Sequence, residues 1–271
     1  MDLRLKGRKA LVTGSSKGIG EAIARRLARE GVIVIVHGRD RLLAAKVVDE
    51  VVGGGGRAHA VVGDLTRDED VQRLVDDAEQ FAGAMDIVIN NAGGSGGSNE
   101  SWEQSRPESW MAAYDRNVLS AVRVTKRLLP GMREARWGRV INLSSLAATM
   151  SPAARADYSA SKAAINALTA SMAKAVAGDG VTVNAVSPGT IHSAALDTAF
   201  RQAAAERGLA EPEAPWPDVE RVALPIFAQV PVGRVGRLEE IADTIAFLAS
   251  PLAGYITGIN LRVDGGMSPS L

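Results

Sequence analysis

Residues 9–30 read K-A-L-V-T-G-S-S-K-G-I-G-E-A-I-A-R-R-L-A-R-E, and this stretch decides the fold. A short strand-like run, Lys9 to Thr13, leads into the glycine-spaced turn Thr13 to Gly20. The turn leads into a helical stripe, Gly20 to Glu30, with Ile23, Ala24 and Leu27 on one face. Glycines 14, 18 and 20 permit a tight turn, let backbone approach a pyrophosphate closely, and aim the unpaired N–H groups of the helix at anionic oxygen. The spacing is GxxxGxG rather than GxGxxG, so by itself it serves an ordinary strand-to-helix turn as well as a nucleotide loop.

Outward from this unit the same alternation repeats. Strand-like runs fall at Ile33 to His37, Ala58 to Val62, Ile87 to Asn90, Arg139 to Leu143, Thr182 to Val186 and Ile259 to Val263, separated by helical stripes such as Ala160 to Val176 with Ile165, Leu168, Met172 and Val176. Repeated βαβ units with no linker predict an α/β chain: one doubly wound domain over 1–271, with a seven-stranded parallel sheet flanked by helices. The regular pattern fails between Thr190 and Val230, where Pro212, Pro215, Pro217 and Pro225 fall. A structureless loop of that length is uncommon, so the segment is expected to hold short helices and to act as a substrate lid.

Composition narrows the function classes. The 271 residues are 46% hydrophobic and 23% charged, which is globular and not disordered. Cys is absent, which excludes disulfide scaffolds, thiolate metal sites and cysteine nucleophiles, and permits a reducing cytoplasm. Lys plus Arg and Asp plus Glu are both 31, which argues against nucleic acid or an anionic membrane as main partner. The amino terminus carries no apolar signal region, and no run of about 18 apolar residues occurs. A cytoplasmic, untargeted protein is expected. His37, His59 and His192 show no metal-ligand spacing, so no metal is expected.

Tyr158 and Lys162 stand four apart in a helical pattern and share a face. A phenol ionises near pH 10, and a neighbouring ammonium favours the phenolate. Ser145 follows the Arg139 to Leu143 strand, at the carboxyl end where open sheets place ligand groups. The second strand ends V-H-G-R-D. Gly38 stands where an acid would accept from a ribose 2′-OH, and Arg39 with Lys17 offers cations for a 2′-phosphate. NADP(H) is therefore expected in preference to NAD(H).

TGSSKGIG, N-N-A-G at 90–93, Asn117 in YDRNV, Ser145 in INLSS, Y-S-A-S-K at 158–162, S-P-G at 187–189 and ITGINLRVDGG at 256–266 together resemble the short-chain dehydrogenase/reductases. The resemblance spans about residues 5–267 and implies a Rossmann-type domain holding cofactor and substrate, assembled as a homotetramer. It implies Tyr158 as general acid/base, Lys162 as the residue that lowers the phenol pKa and holds the nicotinamide ribose, Ser145 as carbonyl-orienting donor, and Asn117 as holder of a relay water. It further implies a cofactor site at Gly14, Ser16, Lys17, Gly18, Ile19, Gly20, Gly38 and Arg39. Asp64 and Leu65 match its adenine pocket, Asn91, Ala92 and Gly93 its sheet-end loop, and Pro188, Gly189 and Ile191 its nicotinamide loop.

Within the family the chain is most similar to 3-oxoacyl carrier-protein reductases. Arg136 and Arg139 offer charge to an acidic carrier, but Asp179 stands where such reductases usually carry a second basic residue. Leu196, Phe200, Leu209, Trp216 and Phe227 in the Thr190 to Val230 segment suggest a moderately apolar carbonyl or alcohol substrate. Two other classes compete. One is a nucleotide-binding regulator without catalysis. The other is a serine hydrolase using the literal G-x-S-x-G at Gly93 to Gly97, with Ser95 as nucleophile and His192 as base.

Overall fold

In the computed structural model of the chain, which describes residues 1–96 and 100–269, the apolar runs become seven strands. These are β1 (Lys9–Val12), β2 (Ile33–Gly38), β3 (Arg57–Val62), β4 (Ile87–Asn90), β5 (Gly138–Leu143), β6 (Val181–Pro188) and β7 (Asn260–Val263). They form one all-parallel sheet in the order β3-β2-β1-β4-β5-β6-β7. Every residue of β5 and β6 is buried, as expected for parallel strands covered on both faces. The expected strands are all present, Ile87–Asn90 unchanged and the others with an end shifted by one or two residues. The last begins at Asn260 because Ile259 is 39% exposed and its N–H bonds the Asn184 side chain instead of the ladder.

The helices are α1 (Gly18–Arg29), α2 (Arg41–Gly53), α3 (Asp68–Ala82), α4 (Pro107–Tyr114), α5 (Ser120–Glu134), α6 (Ala156–Val176), α7 (Ala194–Glu206), α8 (Trp216–Phe227) and α9 (Leu238–Ala249). One face of the sheet packs against Ile23 and Leu27 of α1, Val47 of α2 and Ile241 and Ile245 of α9. The other packs against Leu74 of α3, Leu128 and Met132 of α5 and Val176 of α6. Chain order reverses between β1 and β4, which opens a crevice at their carboxyl ends where doubly wound sheets bind ligands.

Three local features place the site. A π-turn at Asp115–Leu119 joins α4 to α5 and carries Asn117 inward, 2% exposed. Helix α6 begins one turn before the expected Ala160, behind Arg155 in the left-handed conformation (φ 65°), so Tyr158 stands in its first turn. The expected short helices of the 190–230 segment are α7 and α8. They bury Phe200, Val219, Ala223 and Leu224 in a cluster of their own, separate from the sheet's two faces.

Candidate active site

The turn between β1 and α1 is stitched to the end of β4. Thr13 Oγ1 accepts from the N–H groups of Asn91 and Ala92, each at 3.0 Å, and Asn91 Nδ2 donates to the carbonyls of Thr13 (2.9 Å) and Gly14 (3.0 Å). The approach is close enough that a Cβ on Gly14, at φ 63°, would lie 2.9 Å from Ala92 Cα. A Cβ on Gly20 would collide with the Gly14 carbonyl. No side chain caps the amino terminus of α1, and a Cβ on Gly18 would meet nothing within 4 Å. Uncapped amides beside open space are what a pyrophosphate needs, so the residues fit a dinucleotide.

At the mouth of this turn Lys17 and Arg39 are exposed and form no ion pair among the described residues. Ser16 packs on Gly38, where a Cβ would come within 2.9 Å of the serine Cβ and Oγ, so a side chain at 38 must displace Ser16. Asp64 accepts from the N–H (2.9 Å) and hydroxyl (2.8 Å) of Thr66, which hold its carboxyl below the usual range. Leu65 is 6% exposed and packs with Val71 and Leu74, so only its backbone can serve an adenine pocket. Ile19 is partly buried against the sheet. Pro188 ends β6, the Gly189 N–H donates to Val263, and Ile191 bridges to Gly236, which fixes the nicotinamide-side loop.

The catalytic candidates gather at the carboxyl ends of β4 and β5. Lys162 is buried, and its Nζ donates to the Leu143 carbonyl at 2.6 Å while lying 5.8 Å from the Tyr158 ring centre. Burial pulls its pKa down to about 8. Ser145 lies near enough to Tyr158 to favour its phenolate, and its Oγ accepts from the Ala147 N–H at 3.1 Å. Asn117 Nδ2 donates to Ser161 Oγ (3.0 Å) and to the Gly94 carbonyl (3.2 Å), while its Oδ1 accepts from the Gly94 N–H (2.7 Å). Gly93, at φ 155°, lies between them: a Cβ there would sit 2.5 Å from Asn117 Oδ1 and 3.6 Å from Lys162 Nζ. Beneath the cluster a buried ladder of Thr125, Asn90, Asn142 and Thr169 crosses β4 and β5 and fixes their spacing.

Several expectations need correction. The Tyr158 phenol is pushed up by burial, and the bond to Ser145 and the charge of Arg155 pull against that rise. Lys162 Nζ donates to the Leu143 carbonyl and is not among the influences on the phenol, which are burial, Ser145 and Arg155. The basic pair offered to a carrier protein is not free. Arg136 and Arg133 both bind Asp179, at 2.9 and 2.7 Å, and Arg139 is 4% exposed, under the Trp137 ring and Ser250. Ser95 lies in irregular chain rather than at the entry of a helix, which next starts at Pro107, and Gly97 of that motif lies outside the described residues. His192 is engaged elsewhere, 3.5 Å from Asp197 and stacked on Trp216. A cavity of about 620 Å³ under α8, lined by Leu224, Pro225 and Val230 among others, shares no residue with the Tyr158 cluster.

Sequence reasoning missed three contributors. Thr13 and Ser161 are small polar residues whose roles depend on which strand end or helix face meets them. His37 was set aside for want of metal spacing, yet its ring bonds the glycine turn.

Comparison with known proteins agrees with this geometry. A family model described as enoyl-(acyl carrier protein) reductase matches residues 14–268. The chain is 36% identical over 265 residues to a 3-oxoacyl-(acyl-carrier-protein) reductase of Pseudomonas aeruginosa, covering 98% of this chain and 99% of the relative. It is 34% identical to that of Escherichia coli over the same length, with the same shares covered. Among solved structures, L-sorbose reductase from Gluconobacter frateurii, complexed with NADPH and L-sorbose, superposes with a TM-score of 0.91 at 30% identity over the whole of both chains. A 7α-hydroxysteroid dehydrogenase complexed with NADH and 7-oxo glycochenodeoxycholic acid superposes with a TM-score of 0.84 at 30% identity, covering 100% of this chain and 98% of that one.

Proposed function

The chain belongs to the short-chain dehydrogenase/reductase family of oxidoreductases, and on that premise we propose that it interconverts a carbonyl and an alcohol with NADP(H), using Tyr158 as general acid and base. The observation that carries this reading is the meeting of Tyr158, Ser145, Lys162 and Asn117 beside the uncapped turn of β1 and α1. When bound, NADPH supplies the hydride. Gly14, Ser16, Gly18, Ile19 and Gly20 would hold its pyrophosphate, Arg39 and Lys17 its 2′-phosphate, and Asn91, Ala92, Gly93, Pro188, Gly189 and Ile191 its nicotinamide half.

The protein's own work is with the proton. The Ser145 hydroxyl orients the substrate oxygen, and the Tyr158 hydroxyl delivers its proton to that oxygen as the carbonyl becomes an alcohol. Burial favours the protonated phenol, which leaves the acid loaded for reduction. Lys162 and Asn117 set the local field and the path by which the proton is replaced. A free small molecule is placed ahead of a carrier-bound thioester as substrate, because Asp179 pairs with Arg133 and Arg136 and Arg139 is buried. Cytoplasmic location and a homotetramer belong to the same proposal. The latter is supported by exposed Met111, Tyr114 and Leu119 near α4, and Phe247, Leu252 and Tyr255 near α9. Among the described residues no helix is long and apolar enough to cross a membrane.

The test is NADPH oxidation across ketones, sugars, quinones and 3-oxoacyl thioesters. Turnover of a free ketone or sugar supports the reading. NADPH binding with no turnover of any carbonyl would favour the non-catalytic regulator, and turnover of carrier-bound thioesters alone would overturn the substrate assignment.

A further inference from the structure

His37, the penultimate residue of β2, is 3% exposed and meets the glycine turn with both backbone and ring. The Ser15 N–H donates to the His37 carbonyl at 2.8 Å, and the His37 N–H donates to Ser15 Oγ at 3.0 Å. The Gly14 N–H, 3.0 Å from imidazole Nδ1, can only donate, so Nδ1 must present a lone pair. On the far side Nε2 lies 3.2 Å from the Gly63 carbonyl, which can only accept, so Nε2 must carry the hydrogen. Only the neutral Nε2–H tautomer satisfies both neighbours. A protonated ring would set an Nδ1–H against the Gly14 N–H and break the turn's contact with β2.

The charged groups around the ring are few. Arg39, one residue past the end of β2, opposes a second positive charge, while Asp64, beyond β3, favours one. Of the turn, Gly14 meets the ring and Ser15 the His37 backbone, and its single charged residue, Lys17, is exposed. Burial is the largest influence and also opposes protonation.

We propose that His37 is a positioning residue that braces the glycine turn in its anion-binding shape only while its ring is neutral, making affinity for NADPH fall as the ring gains a proton. The proposal rests on the reading of this turn as the cofactor's pyrophosphate site. By reciprocity, a bound cofactor holds the ring neutral to lower pH.

Two measurements test it. In protein labelled with ¹⁵N-histidine, without cofactor and near neutral pH, the His37 resonances should report a bare Nδ1 and a protonated Nε2. An Nδ1–H tautomer would overturn the brace. Fluorescence titration with NADPH then compares wild type with His37→Asn, whose Oδ1 can accept from the Gly14 N–H but does not titrate. Across the pH range in which those resonances show His37 gaining its proton, wild type should lose about threefold to tenfold more affinity than the variant, the worth of one neutral hydrogen bond, and a ring that stays neutral until the protein unfolds would overturn the switch. Ionisation of the cofactor's own phosphate affects both proteins and cancels in the ratio. Parallel curves would overturn the proposal. Failure of wild type to bind NADPH at about pH 8 would instead sink the cofactor reading, while the tautomer measurement would still judge the brace.

Discussion

The cluster around Tyr158 and the Ala194–Phe227 segment are built on opposite terms. The first stands on strand ends and on a 21-residue helix whose Asp157, Ser159, Ser161 and Lys162 are buried, with Asn117 tied to the Gly94 backbone and Lys162 to the Leu143 carbonyl. The second rests on a small core of Phe200, Val219, Ala223, Leu224 and Val235, with Trp216 and Phe227 stacked around Phe200. The chain on either side of it is pinned together by the Gly236 to Thr190 bond and the Ile191 bridge to Gly236, and Val232 bonds Gly265 just past β7. The proposed reaction geometry therefore rests on strand ends and a long buried helix. The segment that would choose a substrate has a separate core and can change without disturbing the sheet.

The largest test of this contrast is Phe200→Ala. Truncating a fully buried Phe costs about 3–5 kcal/mol, more than a five-residue core can absorb. Cleavage by protease within 194–227 should rise and substrate KM should increase, with NADPH affinity and the main melting transition nearly unchanged. A matching fall in the global Tm would show that the two regions are one cooperative unit. Addition of NADPH and substrate should slow that cleavage in wild type if the segment closes over them.

Tyr158→Phe probes the stiff side. It removes one hydroxyl from a cluster held by other bonds, so folding and NADPH affinity should persist while kcat falls roughly 10²-fold or more. Near wild-type kcat would remove Tyr158 as the acid.

Lys162 gives a pH test of the same region. Its folded pKa, about 8, is lowered from 10.5 by burial, so above pH 8 the folded state has released a proton that the unfolded state still holds. Wild-type stability measured against Lys162→Met should therefore rise by about 3 kcal/mol as pH climbs through that window, read by denaturant titration. Activity should decline over the alkaline part as the ammonium is lost. A pH-independent difference would mean that Lys162 titrates normally.

The smallest effect concerns the exposed rim of the cofactor turn. Arg39→Leu should cost NADPH about 1.5–3 kcal/mol, or roughly tenfold to 150-fold in affinity, with little change for NADH. A wild-type preference for NADPH below about threefold, in ratios of kcat/KM, would remove Arg39 from the phosphate site. Arg39 alone is the cleaner change, because an acid at Gly38 would also push Ser16 aside.

Much of the fold was legible before any coordinates. Strand periodicity, the glycine turn and the helical stripes depend on local chemistry, and the seven strands and the early helices follow from it. The order TGSSKGIG, NNAG, YSASK carries the family resemblance, and through it the proposed catalytic and cofactor positions. The start of α6 escaped because a left-handed Arg155 caps it, which no local preference of arginine favours.

What only the tertiary structure decided lies between residues far apart in sequence. The lowered Lys162 and the raised Tyr158 both come from burial, which is a property of the assembled core. The neutralising of Arg136 depends on Asp179, 43 residues away. The tautomer of His37 is dictated by Gly14 on one side and Gly63 on the other, 23 and 26 residues distant. Sequence determines which groups can donate, accept or ionise. Which of those capacities each group keeps is decided by the partners and the water that the fold leaves it.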